Sequence, residues 1–262
     1  MKNQGHRFET TTFHAQLDHA TTAPSPEMTC WLPERESTGI GLIIFPGGGY
    51  GHLAVHEGEG YARHFSQAGI ACFVVAYRLG TQGHRHPAML EDAWAALATV
   101  RARAAEFGVD PGQIGVIGSS AGGHLAAHTL VAWPRYRGPV SVRPDFGVLC
   151  YPVTTALEPF AHKGCIRNLL GDSPSPECLE AISCDRHVTA KTPPCFLWHT
   201  GEDTGVPLEN SLIFASALRR NGVPFELHLY QKGRHGLGLG APFNWADDCL
   251  RWMREVTQPP PG

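Results

Sequence analysis

Residues 115–123 read GVIGSSAGG, and within them Gly118-Ser119-Ser120-Ala121-Gly122 has the spacing G-x-S-x-G. An apolar, strand-like run precedes it and a helix-like run follows it. A serine held on a sharp strand-to-helix turn is lifted clear of the backbone and can act as a nucleophile. The glycines two places to either side are what allow so tight a turn. The amide of the next residue, Ala121, points into the same space. The competing reading is a glycine-rich turn that serves packing alone, and the strand–turn–helix context favours the nucleophile. Ser119 is one place out of frame and is assigned a structural role.

A serine needs a base to take its proton and an acid to orient that base, here in the chain order serine, acid, histidine. Three later histidines compete. His228 alternates within FELHLY and reads as a strand residue, and His199 ends the run FLWHT, where it could line a pocket or orient a turn. His235 lies in QKGRHGLGLG, a glycine-flanked loop after the last strand-like run, and is the preferred base. For the acid, Asp203 in HTGEDTGVP follows an apolar run, and Pro207 suits the first turn of the next helix. Asp203 is preferred over its neighbour Glu202, the plainer reading being that both are solvated turn acids.

The second glycine cluster, PGGGYGHLAVHEGEG, follows the apolar run GLIIF. Backbone amides of Gly48 and Gly49, with that of Ala121, could stabilise the oxyanion of acyl transfer, because glycine reaches backbone angles other residues avoid. Gly49 to Ala54 also matches the dinucleotide pattern G-x-G-x-x-A. The next strand, however, ends Tyr77-Arg78 with no acid for a ribose, and this alternative leaves Ser120, Asp203 and His235 unexplained. The pairs HLAVH (52–56), HLAAH (124–128) and GHRHP (83–87) have metal-ligand spacing without an evident third ligand, and read as surface or supporting histidines. No metal and no cofactor is expected. Tyr50, Tyr151, Trp245 and Trp133 fall near loop ends, where they either stack on a sugar or aromatic acyl group or pack in the core. Tyr50, Tyr151 and Trp245 are carried as substrate-binding candidates.

These residues need a scaffold. Core strands are expected at 41–45, 71–77, 114–118, 146–152, 194–200 and 225–230. Helices are expected at about 56–68 and at 87–108, 121–133, 208–222 and 244–256. Near-continuous apolar strands alternating with helices make an α/β fold, a mostly parallel sheet covered on both faces. A single domain over 1–262 is expected. Residues 1–39 should add antiparallel strands, best at 27–33, and 153–193 should form a small lid or a helix-loop insertion without a large cap. The Pro-rich tail QPPPG is expected to fray.

With 42% hydrophobic residues and a net charge of −3, the chain has an ordinary globular composition and no basic stretch, so neither nucleic acid nor membrane is an expected partner. Eight cysteines without a C-x-x-C pair read as buried free thiols. The first residues, MKNQGHRFETTTFHAQ, lack the apolar segment of a signal peptide. A cytoplasmic location is expected, with secretion the alternative if an export signal has been removed.

PGGGYGHLAVHEGEGYA, YRLG, GHRHPAMLEDA, IGVIGSSAGGHLAAH, RPDFGVLCYPV, TPPCFLWHTGEDTGVPLENS and GRHGLGL run in the order found in small α/β-hydrolase esterases. Over roughly residues 40–255 the chain resembles the bacterial bifunctional feruloyl and acetyl-xylan esterases. The resemblance implies an α/β-hydrolase fold, Ser120 as nucleophile, Asp203 as acid, His235 as base, and an oxyanion hole from the PGGGY loop and Ala121. It departs at Ser119, where a larger residue is usual, at Glu202-Asp203 in place of two aspartates, and at Gly205 in place of a β-branched residue. The activity implied is that of a serine carboxylesterase removing acetyl, and in some relatives feruloyl, groups from xylan or xylo-oligosaccharides. The partner is then a small-molecule or oligosaccharide ester. A general short-chain carboxylesterase is the alternative, with an NADP-binding reductase or a peptidase less favoured. A peptidase of the related prolyl-oligopeptidase type would carry an N-terminal propeller, for which these residues leave no room.

Overall fold

The computed structural model describes residues 10–14, 26–34 and 36–258. Eight strands form one sheet: β1 Thr10–His14, β2 Glu27–Trp31, β3 Gly41–Phe45, β4 Ala71–Ala76, β5 Ile114–Ser119, β6 Gly147–Cys150, β7 Cys195–Thr200 and β8 Phe225–Tyr230. Their spatial order is β1-β2-β4-β3-β5-β6-β7-β8. The pairings β1–β2 and β2–β4 are antiparallel and all the others are parallel. β3, β5, β6 and β7 are buried along their whole length, as expected of apolar strands covered on both faces. β8 is the outer edge and is only partly buried.

Among the described residues seven α-helices accompany the strands: α1 Val55–Gln67, α2 Ala88–Ala102, α3 Ala121–Ala132, α4 Lys163–Leu170, α5 Pro176–Ile182, α6 Glu209–Arg220 and α7 Trp245–Thr257. Tyr61 and Phe65 of α1 and Trp245, Trp252 and Met253 of α7 pack with Phe146, Phe196 and Trp198 on one face of the sheet. Apolar residues of α2, α3 and α6 fill the other face. The helix expected to 108 ends earlier, and residues 104–107 tighten into a 3-10 turn closed by Gly108 at φ 64°. That turn brings the Phe107 ring edge-on to Phe73 at 4.9 Å and stacks it on Phe13 at 5.6 Å.

The segment 153–193 contains α4 and α5 and is bonded onto the body. Asn210 Oδ1 accepts the amides of Thr154 and Thr155, and Asn168 Nδ2 donates to the Gly49 carbonyl at 2.8 Å. The expected fraying tail lies, from residue 259, outside the described residues. All eight cysteines are free, Cys178 exposed and the others buried. Among the described residues no helix is long and apolar enough to cross a membrane.

Parallel register aligns the strand ends that matter. Phe45 pairs with Gly118, Ser119 with Cys150, Cys150 with Trp198, and Thr200 with Tyr230. The loops after β3, β5, β6, β7 and β8 therefore open at one edge of the sheet. β4 lies on one side of β3 and β5 on the other, so the chain reverses its direction of travel across the sheet at β3. Such a switch point is where α/β sheets bind ligands.

α3 is buried over its whole length and carries two histidines into the interior. The Ile182 carbonyl can only accept, so His124 Nε2 donates to it at 2.8 Å and Nδ1 accepts from the Tyr50 hydroxyl at 2.7 Å. Burial pushes the His124 pKa down to about 4, against the raising effect of the Ile182 bond and with a lowering contribution from His86. His128 is held well below its ordinary value by burial, and then by His124, His86, Arg135 and His187. Its Nε2 has no hydrogen-bond partner among the described residues, and its ring stacks on His86 at 5.1 Å.

A histidine whose folded pKa is depressed leaves stability unchanged above the unfolded value, roughly 6.5. As pH falls below that value the unfolded chain takes the proton first and stability drops until the folded pKa is reached. For His124 the loss between about pH 6.5 and 4 is on the order of 3 kcal/mol. Urea unfolding from pH 7.5 to 5 should show stability falling with acid, each buried histidine adding up to about 1.4 kcal/mol per pH unit. His128→Phe should flatten that slope by about one histidine's share, while stability at pH 7.5 stays within about 1.5 kcal/mol of wild type. An unchanged slope would remove His128 as a source.

Candidate active site

β5 ends at Ser119 and α3 begins at Ala121, so Ser120 is the whole turn between them. Its backbone sits at φ 55°, ψ −116°, a conformation that costs a non-glycine residue about 1–3 kcal/mol and persists only where the surroundings enforce it. The flanking glycines supply the room. A Cβ on Gly118 would run into the Gly122 carbonyl, and one on Gly122 into the Phe45 and Pro46 carbonyls. The turn is thereby pressed against the end of β3. Ser119 points away, its hydroxyl 2.9 Å from that of Tyr61.

His235 and Asp203, 115 and 83 residues beyond the serine, meet it at the strand edge. His235 Nε2 is 2.8 Å from Ser120 Oγ, and Nδ1 is 2.7 Å from Asp203 Oδ2. A carboxylate only accepts, so Nδ1 carries the hydrogen and Nε2 presents a lone pair to the Ser120 hydroxyl. Asp203 Oδ1 accepts the amides of Gly205 and Val206 at 2.8 and 2.9 Å, which anchors the carboxylate in its turn. His199 does not face the serine. Its Nε2 donates to the Val206 carbonyl at 3.1 Å and lies 3.2 Å from Asp203 Oδ2. Burial opposes ionisation of Asp203, but hydrogen bonds from His199, His235 and the Val206 amide outweigh it and hold the carboxyl well below the usual range. Glu202 is exposed, and its carboxylate accepts the Gly233 amide. A Cβ on Gly205 would come within 2.9 Å of the His235 ring, so the glycine found there makes space for the imidazole.

The glycine run lies beside this group: a Cβ on Gly47 would be 3.3 Å from that of Ser120. The Gly47 amide donates to Glu57 Oε2 at 2.8 Å, and the Gly47 and Gly48 carbonyls accept amides of residues 51, 52 and 54. Gly48 and Gly49 have φ of 122° and 64°. Among the described residues no protein acceptor takes the amides of Gly48, Gly49 or Ala121. The Ala121 amide is one of the unpaired donors that open any helix. Free amides in the adjoining loop and turn, with a histidine on the serine hydroxyl, form a site suited to acyl transfer. The dinucleotide alternative loses its anchor, because the Arg78 guanidinium is bound to Asp92, Glu91 and the Ala88 carbonyl.

The expected substrate-binding role of Tyr50, Tyr151 and Trp245 is corrected. They are 0%, 2% and 1% exposed and present no free face. Tyr50 and Tyr151 sit at φ 59° and 37°, which turns their rings beneath the strand ends. Tyr50 packs edge-on to Tyr77 and His124, Tyr151 lies between Trp198 and His235, and Trp245 stacks on Trp198. Of the histidines in the metal-spaced pairs, His124 Nε2 bonds the Ile182 carbonyl and His56 Nε2 lies 3.1 Å from the Gly236 carbonyl. Sequence reasoning passed over Glu57 and Asn168, which bind the glycine loop at Gly47 and Gly49. Glu57 was detectable as an acid on the apolar face of α1, in line with Tyr61 and Phe65. Asn168 carries no sequence signal, since its partner is 119 residues away.

Comparison with known proteins agrees with this architecture. Residues 42–239 match the family described as alpha/beta hydrolase fold. The chain is 37% identical over 223 residues to endo-1,4-beta-xylanase B of Butyrivibrio fibrisolvens, covering 81% of this chain and 34% of that protein. It is 33% identical over 242 residues to an acetylxylan esterase of Xylanibacter ruminicola, covering 89% of this chain and 49% of that protein. It thus spans about a third and about half the length of these curated relatives. Among solved structures, an acetyl ester-xyloside bifunctional hydrolase from Caldicellulosiruptor lactoaceticus superimposes with a TM-score of 0.83 at 42% identity, over 88% of each chain. The carboxylesterase Cest-2923 from Lactobacillus plantarum does so at 0.77 and 26% identity, over 95% of this chain and 98% of its own. With three-quarters of its length matching that family, this chain belongs to the α/β hydrolase fold family.

Proposed function

We propose that this protein is a serine carboxylesterase that removes acetyl groups from xylo-oligosaccharides or related carbohydrates. The observation that carries the reading is the hydrogen-bonded series Asp203–His235–Ser120, at 2.7 and 2.8 Å, beside a turn and a glycine loop whose Ala121, Gly48 and Gly49 amides are free among the described residues. In this mechanism His235 Nε2 takes the Ser120 proton as Oγ attacks the ester carbonyl carbon. The amides of Gly48 or Gly49 and of Ala121 stabilise the oxyanion. The C–O bond to the sugar breaks, and His235 returns the proton to the departing alkoxide. Water then gives its proton to His235 and attacks the acyl-enzyme, releasing the carboxylic acid and restoring Ser120. Asp203 keeps the tautomer correct and stabilises the imidazolium formed in each half-reaction.

The same geometry and the relatives support acetyl as the acyl group. An aromatic feruloyl group would need a stacking face, and Tyr50, Tyr151 and Trp245 are buried and offer none, while Trp133 is half-buried. The named activities of the Xylanibacter and Caldicellulosiruptor proteins support acetylated xylosides as the substrate class. A general short-chain carboxylesterase is the second reading, supported by the likeness to the Lactobacillus carboxylesterase.

On p-nitrophenyl acetate, Ser120→Ala should lower kcat by at least about 10³-fold, whereas Ser119→Ala should stay within tenfold of wild type. Wild-type turnover by Ser120→Ala would sink the nucleophile assignment. Asp203→Asn should lower kcat by about 10³–10⁴-fold while the thermal midpoint moves by only a few degrees, and a loss under tenfold would show that another acid serves His235. Acetylated xylo-oligosaccharide should be cleaved with a kcat/KM at least tenfold above that for p-nitrophenyl butyrate and for methyl ferulate. Equal values for the oligosaccharide and the butyrate would favour the general esterase.

A further inference from the structure

Glu57 is a carboxylate with 3% exposure in the first turn of α1. Both its oxygens accept, and the donors come from different parts of the site. Oε2 takes the amide of Gly47 at 2.8 Å, and Oε1 takes the hydroxyl of Tyr151 at 2.6 Å. The Tyr151 oxygen in turn accepts the amide of Gly238 at 3.0 Å, three residues after His235. The Tyr151 ring stands edge-on to the His235 imidazole at 5.2 Å. His56, the neighbour of Glu57, has Nε2 3.1 Å from the Gly236 carbonyl in the same loop. One buried carboxylate and one buried phenol therefore join the glycine loop after β3 to the histidine loop after β8, beneath Ser120.

The consequence for the glycine run is specific. Glu57 takes its first amide, so the amides left unpaired are those of Gly48 and Gly49. A carboxylate is well suited here because it offers acceptors on both oxygens, and an amide or hydroxyl in its place would have to turn a hydrogen toward one of the two donors. Burial of a charged group is costly unless it is fully bonded, and no packing demand explains an acid on the apolar face of α1.

We propose that Glu57, acting through Tyr151, is a positioning residue that fixes the oxyanion amides and the His235 loop in one geometry. This rests on the esterase reading of Ser120. Neither residue touches the reacting atoms; a displacement of either loop by about 1 Å would be enough to lower the rate about 10²-fold.

The test uses Glu57→Gln, Tyr151→Phe and the double variant, with p-nitrophenyl acetate as substrate. Active enzyme is counted by labelling to completion with a fluorophosphonate and weighing the adduct by mass spectrometry. Tyr151→Phe keeps the ring against His235 and removes only the hydroxyl, so it remains informative if Glu57→Gln folds poorly. Per labelled site, each single variant should lose about 10–100-fold in kcat with KM within threefold. The double variant should lose no more than about threefold beyond the worse single, because the two residues form one chain of bonds. Removing a negative charge near a developing oxyanion would, by relief of Coulomb repulsion alone, raise kcat, so the sign separates positioning from simple electrostatics on the oxyanion. Wild-type kcat per labelled site in both single variants, a rise in kcat, or multiplied losses in the double variant would overturn the proposal. A wild-type protein that takes no label overturns the Ser120 reading itself, and this inference with it.

Discussion

Everything in this site depends on how closely the backbone at Ser120 is pressed between its neighbours. The turn holds the serine at positive φ, and it is enforced by contact: there is no space for a Cβ at Gly118 or Gly122. The same closeness brings the carbonyls at the end of β3 against the start of α3, so the glycine loop begins next to the nucleophile. One packing constraint thus determines the serine's exposure, the direction of the Ala121 amide and the place of the loop that faces it. Side chains at those glycines would lengthen these distances together.

The electrostatic arrangement has a similar economy. Asp203 is nearly buried, yet it remains ionised because two amides, His235 and His199 all donate to it or lie within bonding reach. Its charge fixes the His235 tautomer before any substrate arrives, so the base needs no reorganisation during the reaction. Around this centre lie polar groups that are buried but bonded: Tyr50 with His124, Tyr61 with Ser119, Tyr151 with Glu57. They tie loops to the sheet and helices in directions that apolar packing alone would leave loose.

The segment between β6 and β7 takes part in the same scheme. Its helices reach the glycine loop through Asn168 and the buried end of α3 through Ile182. A loop near catalytic groups is usually free to vary, but here PGGGY is held at Gly47 by α1 and at Gly49 by α4. The membership of the α/β hydrolase fold family accounts for the sheet and the serine turn.

The sequence by itself located the six core strands and β2, the limits of four of the helices within two residues, and the candidate serine turn, and it favoured Asp203 and His235 as partners of that serine. These are readable because they are written locally: apolar runs, G-x-S-x-G between a strand and a helix, and a histidine in a glycine-flanked loop. Tertiary structure decided what depends on approach between distant residues. It turned Tyr50, Tyr151 and Trp245 from candidate contacts into buried supports, since the direction of a ring after a strand depends on the φ of its own residue and on what lies beneath. It made His199 a partner of Asp203 in place of a rival to His235. It placed Glu57 under Gly47, a bond across ten residues of sequence whose meaning comes from Tyr151, 94 residues further on. Residue type and spacing fix which groups can react, while the distances that make them act together exist only once the sheet has brought five strand ends to one edge.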